Sequence, residues 1–175
     1  MIVDRNGMIN CLDLAQSGVE DSSYIEGLCL EARRFVSSFK WCKRVLNAWL
    51  ADGFRHAAIF WMEIEPSGDA DSFVWIIVGD IPPAYIDPSS SNHVEALASY
   101  CWWMKQWVEA VRLGQTTEDL MPVVTRETYE EVKPSRDNAE MLDKRLRLIV
   151  KELVIPYYAK QSSETQSLID EIKDL

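Results

Sequence analysis

The stretch "AAIFWMEIEPSGDADSFVWIIVGD", Ala57 to Asp80, decides the fold. Two runs rich in β-branched and aromatic residues, Ala57 to Glu65 and Ser72 to Asp80, flank the turn-forming "PSGDAD". That pattern predicts an antiparallel hairpin. A symmetric loop sets Glu65 near Phe73, Glu63 near Trp75, Trp61 near Ile77, and Asp80 opposite Ala58. One face then carries Phe60, Met62, Ile64, Val74, Ile76 and Val78 and is wholly apolar. The other carries Trp61, Glu63, Glu65, Phe73, Trp75 and Ile77, apolar with acidic edges. A hairpin apolar on both faces is central and covered on both sides.

The flanks read as helices. Residues 23 to 51 suit a helix in two pieces, broken at Ser37 and Ser38. Ser22 or Ser23 caps the first piece and Ser38 the second. In the second, Phe39, Cys42, Leu46 and Trp49 recur at helical spacing, and Gly53 is the stop. Residues 1 to 22 look irregular, with "RNG" (Arg5 to Gly7) as a candidate turn of a short hairpin. After the central hairpin, Pro82 and Pro83 end the strand, because proline donates no ladder hydrogen bond. Met121 to Thr125 is a candidate edge strand. Pro134 and Ser135 open a helix from Arg136 to Ile155. Its apolar stripe is Ala139, Leu142, Leu146, Ile149 and Leu153, with Glu140–Lys144 and Asp143–Arg147 as supporting ion pairs. Pro156 breaks or kinks it, and the tail 157–175 frays or adds one short helix. The fold class is α+β: a central antiparallel hairpin or small sheet packed with about four helices. No linker or repeat divides the chain, so residues 1–175 are expected to form a single globular domain.

A second stretch, "SYCWWMKQWVEAV" (Ser99 to Val111), belongs to a helix capped by Ser91 or Asn92 and ending near Leu113 at Gly114. Val94, Leu97, Cys101, Met104, Val108 and Val111 form its core stripe. Ala96, Tyr100, Trp103, Trp107 and Ala110 form a second stripe, about 100° round the helix. Trp103 and Trp107 are expected in the core. Trp102 falls on the polar side, among Glu95, Ser99, Lys105, Gln106, Glu109 and Arg112. It is the expected exposed aromatic anchor.

Bulk composition narrows the function class. The net charge is −10 and the pI about 4.7. Such a field repels nucleic-acid phosphates and anionic membranes and speeds encounter with a basic partner. The one basic cluster, "ARRFVSSFKWCKR", is local and reads as a solvated helix face. No apolar run is long enough to span a bilayer, and the N-terminus lacks the pattern of a signal peptide. The four cysteines, Cys11, Cys29, Cys42 and Cys101, fit no zinc spacing. They are expected as reduced thiols in a cytoplasmic protein.

Chemistry is sparse. His56 and His93 stand in no motif, and surface or capping roles explain both. Cys101 and His93 are more than two helical turns apart, too far for a nucleophile and its base. Glu63 and Glu65 share a strand face with Asp80 remote, so solvated strand-edge acids explain them better than a metal or acid–base site. There is no GxSxG, phosphate loop, GxGxxG or HExxH. No catalytic residue, metal or cofactor is expected.

The segments "FVSSFKWCKRVLNAWLADGF", "FWMEIEPSGDADSFVWIIVGDIPPAYI" and "WVEAVRLGQTTEDLMPV" together resemble a group of small, uncharacterised bacterial proteins. The resemblance covers the central part of the chain and implies bacterial origin and a compact α+β fold, with no reaction. In size, acidity and lack of catalytic motifs the chain is also similar to immunity proteins of bacterial polymorphic toxin systems. The leading expectation is a non-enzymatic protein-binding module that neutralises a basic toxin domain by direct binding. Trp102 anchors that partner, and Glu63, Glu65, Asp80, Glu118, Asp119, Glu130 and Glu131 steer it. Two alternatives stand beside it. One is a small-ligand or enzyme site between the hairpin and the tryptophan helix, using Trp61, Trp75, Glu63 and Trp103. The other is a structural homodimer.

Overall fold

A computed structural model describes residues 7–54 and 57–160. The chain divides into two compact units, Met1–Ala96 and Leu97–Leu175. The fold is α+β; the described residues form a five-stranded antiparallel sheet and four α-helices.

The first unit holds the sheet, in the order β1 (Ile9–Asn10), β2 (Cys42–Phe54), β3 (Ala57–Pro66), β4 (Phe73–Gly79) and β5 (Ala84–Ile86). The predicted hairpin is β3–β4, at the sheet's centre. Its register places Trp61 opposite Trp75 and Glu63 opposite Phe73, two residues from the expected pairing. The loop pivots at Gly68, whose φ of 72° favours glycine, rather than one residue later. A shift of two leaves both faces intact. Phe60, Met62, Val74, Ile76 and Val78 are buried on one, and Ile59, Trp61, Trp75 and Ile77 on the other. Asp80 does not sit opposite Ala58, because Val78 does.

The second helical piece is not a helix; the segment is strand β2. Its pairing with β3 skips Lys43, Leu46 and Ala51, each an extra residue in a β-bulge. Residues facing the same side are therefore Cys42, Val45, Ala48 and Leu50, opposite Pro66, Ile64, Met62 and Phe60. Spacings of three, three and two look helical, although the backbone is extended. Of the described residues, Ile9 and Asn10 alone pair with β2's other edge. The bulges and the exposed Lys43 and Arg44 protect the rest of it from strand addition.

α1 (Ser22–Ser37) packs on the sheet through Ile25, Leu28, Cys29, Ala32, Phe35 and Val36. Its N-cap is Asp21, in the left-handed region at φ 57°, and not Ser22 or Ser23. Ser38 closes the helix by donating its hydroxyl to the Phe35 carbonyl at 2.6 Å; it does not start another. Of the N-terminal segment expected to be irregular, Ile9–Asn10 form β1 and Cys11–Gln16 a 3₁₀ helix. The "RNG" turn lies outside the described residues. Pro82 and Pro83 end β4 as expected, and the chain returns as the edge strand β5, which the sequence reading missed.

α2 (His93–Arg112) starts at Asn92, whose Oδ1 accepts the amides of Val94 at 2.9 Å and Glu95 at 3.0 Å. Glu95 returns to the Ser91 amide at 2.9 Å, and Gly114 follows the helix at φ 67°. In the second unit, Met121 to Thr125 forms only an isolated bridge, Val124 to Glu131. α3 (Arg136–Ile149) is capped by the Ser135 hydroxyl and passes through a π-helical turn, Val150–Val154, into α4 (Ile155–Lys160). Pro156 has no amide to donate, and the turn before it widens: the Ile155 amide bonds to Val150, five residues back. The extra residue rephases the apolar stripe. Ala139, Leu142, Leu146 and Ile149 are buried as expected, but Val154 and Tyr158 replace the half-buried Leu153. The final segment from residue 161 lies outside the described residues. Among those described, no helix is long and apolar enough to cross a membrane.

Candidate functional site

Among the described residues, α2 exposes two adjacent tryptophans, Trp102 and Trp103. Val94, Leu97, Tyr100, Cys101, Met104, Trp107 and Val108 are buried. Trp102 is 47% exposed, as its place on the polar side predicts. Trp103 corrects the expectation of a core residue: it is 42% exposed. Tyr100 and Trp107, a turn either side, take the buried positions of that stripe. Trp103 instead meets Trp102 edge to face, with ring centroids 4.7 Å apart at 78°.

Beneath this polar side lies a buried ion cluster within the second unit. Lys105, expected in solvent, is 9% exposed, and Asp143 on α3 is 6% exposed. The Asp143 carboxylate accepts from Lys105 Nζ at 2.8 Å, Arg112 at 2.9 Å and Arg147 at 3.2 Å. Burial pushes its pKa up, but the three donors outweigh this and hold it at about 2. Arg112 also pairs with Glu109 at 2.9 Å. The expected Asp143–Arg147 pair is present, whereas Glu140 pairs back to Arg136. This cluster clamps α3 to the segment of α2 that carries the tryptophan pair.

The predicted acidic residues do not form one patch. Glu63 accepts from Asn47 Nδ2 at 2.7 Å, and Glu65 pairs with Arg44 at 2.6 Å and Lys43 at 3.8 Å. Both are thus engaged across the β2–β3 ladder. Asp80 follows Gly79 at the opposite end of β4 from Phe73, about 20 Å from Glu63 by strand rise. Glu118, Asp119, Glu130 and Glu131 are exposed in the loops of the second unit. Trp61 and Trp75, offered for a ligand site, are buried against each other at 4.5 Å, and Trp75 donates its indole N–H to the Ser90 carbonyl at 3.2 Å. Those rings are occupied in packing.

The first unit holds a pocket that the sequence reading missed. It is an open depression of about 260 Å³, lined by Trp41, Ala70, Asp71, Phe73, Val74, Tyr85, Asp87 and Pro88. Trp41 and Tyr85 meet at 67° with centroids 5.3 Å apart, making a corner. Phe39 stacks behind Trp41 at 5.1 Å. The Ser67 amide bonds to the Trp41 carbonyl at 2.7 Å, tying the β3–β4 loop beside it. Asp87 accepts the Ser89 amide at 2.7 Å; hydrogen bonds from the Ser89 hydroxyl and amide hold its carboxyl below the usual range. Assigning Trp41 to a helix, and Tyr85 to a loop, hid their meeting.

The thiols carry one further feature. Cys11 donates a hydrogen bond to Cys29, which pushes the Cys11 thiol up. The same bond lowers Cys29, against its burial and with help from Arg33, to about 7. Burial alone raises Cys101 to about 12. All four cysteines are free. His93 lies in the first turn of α2 with Nε2 3.6 Å from Asp52, and His56 lies outside the described residues. Among the described residues no three of His, Cys, Asp and Glu converge as metal ligands. No family model, curated protein or solved structure matches this chain.

Proposed function

We propose that the chain is a non-enzymatic protein-binding module, most concretely a cytoplasmic immunity protein that neutralises a basic toxin domain by direct binding. The observation that carries this reading is the exposed Trp102–Trp103 pair. Covering an aromatic side chain is worth roughly 2–3 kcal/mol. Two adjacent half-exposed indoles on a helix pinned by a buried ion cluster are a rigid anchor of the kind that dominates interfaces. The net charge of −10 supports a basic partner, steered by the exposed Glu118, Asp119, Glu130 and Glu131, with Asp80 and the cross-strand-paired Glu63 and Glu65 contributing to the overall field.

The test is affinity capture from the native host's lysate with the wild type and the Trp102→Ala/Trp103→Ala double variant in parallel. The expected result is one basic protein at 1:1 stoichiometry, lost with the double variant. A wild-type preparation that stays partnerless, or a partner retained equally by both baits, contradicts it. Light scattering on the partnerless protein then decides the homodimer alternative.

A further inference from the structure

We infer that the pocket at Trp41 and Tyr85 is a binding site for an organic cation, an alkylammonium or guanidinium group. Three segments distant in sequence converge there: the α1–β2 connection at Trp41, the end of the β3–β4 loop running into the start of β4 from Ala70 to Val74, and β5 with its exit at Tyr85 to Pro88. Three lining residues are aromatic, two are acidic and none is cationic. Aromatic faces attract a cation through their quadrupole, and they do so best for weakly hydrated organic cations. The two carboxylates, Asp71 and Asp87, add net negative charge to the same lining. Asp87 is fixed in place by its bond from Ser89.

Alternatives fit less well. A hard metal ion takes six or more oxygen ligands, and two carboxylates among aromatic walls do not supply them. A neutral apolar ligand gains nothing from the acids. The volume, about 260 Å³, lies just below the usual range for drug-sized ligands and suits the head of a side chain or a small cation. The site does not depend on the tryptophan pair of α2, so it stands or falls separately from the partner-binding reading.

The test is calorimetric titration of the full chain with choline, its neutral tert-butyl analogue, and the blocked amides of trimethyl-lysine and arginine. At least one cation is expected to bind saturably, and choline about tenfold more tightly than its neutral analogue. Asp71→Asn combined with Asp87→Asn preserves shape and removes charge. It is expected to weaken the cations about tenfold and leave the neutral analogue unchanged, with the melting temperature confirming the fold. Tyr85→Leu, at a 40% exposed edge-strand position, is expected to weaken every cation. Choline tighter than the amides assigns the site to a free small cation, and the reverse to a protein side chain. Equal affinity for choline and its neutral analogue, no saturable binding of any cation, or cation affinity unaffected by the double Asn variant overturns the inference. The Trp102→Ala/Trp103→Ala variant is expected to retain choline binding whatever becomes of its protein partner.

Discussion

Asp143 shows how much one residue decides in this chain. It is a carboxylate removed from water and satisfied by three cations. Removing its charge takes the shortest ionic contact from the buried Lys105, while Glu109 still reaches Lys105 and Arg112 and the Arg147 side chain is solvated, so the cost sits at the low end of the about 3–5 kcal/mol of a broken buried pair. Asp143→Asn is therefore expected to lower unfolding free energy by about 3 kcal/mol in urea titrations, far more than Glu140→Gln on the exposed face of the same helix. The pH dependence has a definite sign. The folded pKa, about 2, lies below the ordinary carboxylate value of 3.8, so the stabilisation is complete above about pH 4 and disappears as pH falls towards 2. Its size is about 2 kcal/mol, and unfolding curves at stepwise lower pH for the native chain and Asp143→Asn, converging at the acid end, check it. Cys29 offers a second residue-scale test. Thiolate absorbance of the native chain is expected to rise in a step near pH 7 that Cys29→Ser abolishes, while Cys101 contributes no step below about 12.

At the scale of elements, β2 is where sequence and structure part company. The exposed bulge residue Leu46 is 42% exposed, whereas Ala48 is 1% exposed and faces Met62. Leu46→Lys is expected to change stability by less than about 0.5 kcal/mol, and Ala48→Lys to unfold the chain or cost more than about 3 kcal/mol. A helix with Leu46 on its inner stripe demands a large cost at Leu46, so chemical denaturation of the two variants separates the geometries. The central hairpin was legible because β3 and β4 pair with no register break over seven residues, leaving their period of two intact. α2 was legible because its cap at Asn92 and stop at Gly114 are local chemistry. β2 was not, because three bulges turn a period of two into one near three. β5 was hidden by its shortness after two prolines, and the π turn by an effect of Pro156 that reaches back along the helix rather than forward. The pocket escaped for a related reason: its walls come from the misread connection to β2 and the missed β5.

At the scale of the whole molecule, the two strongest surface features serve different ends. Under the proposed binding role, the exposed Trp102 and Trp103 are the apolar anchor, and the net charge of −10 is the long-range attraction for a basic partner. Only half of the exposed pair was legible in the sequence: Trp102 by its place among polar residues, but not Trp103, whose stripe is otherwise buried. Anchor and field act on different rate constants, which makes them separable. The decisive measurement is stopped-flow association and dissociation of the captured partner, for the native chain and Trp102→Ala/Trp103→Ala, at low and physiological salt. The expected result is an association rate that falls about tenfold or more with added salt in both proteins, and a dissociation rate at least about a hundredfold faster in the double variant. A dissociation rate unchanged by loss of both indoles would contradict the assignment of the binding surface to α2, and a salt-independent association rate would contradict electrostatic steering.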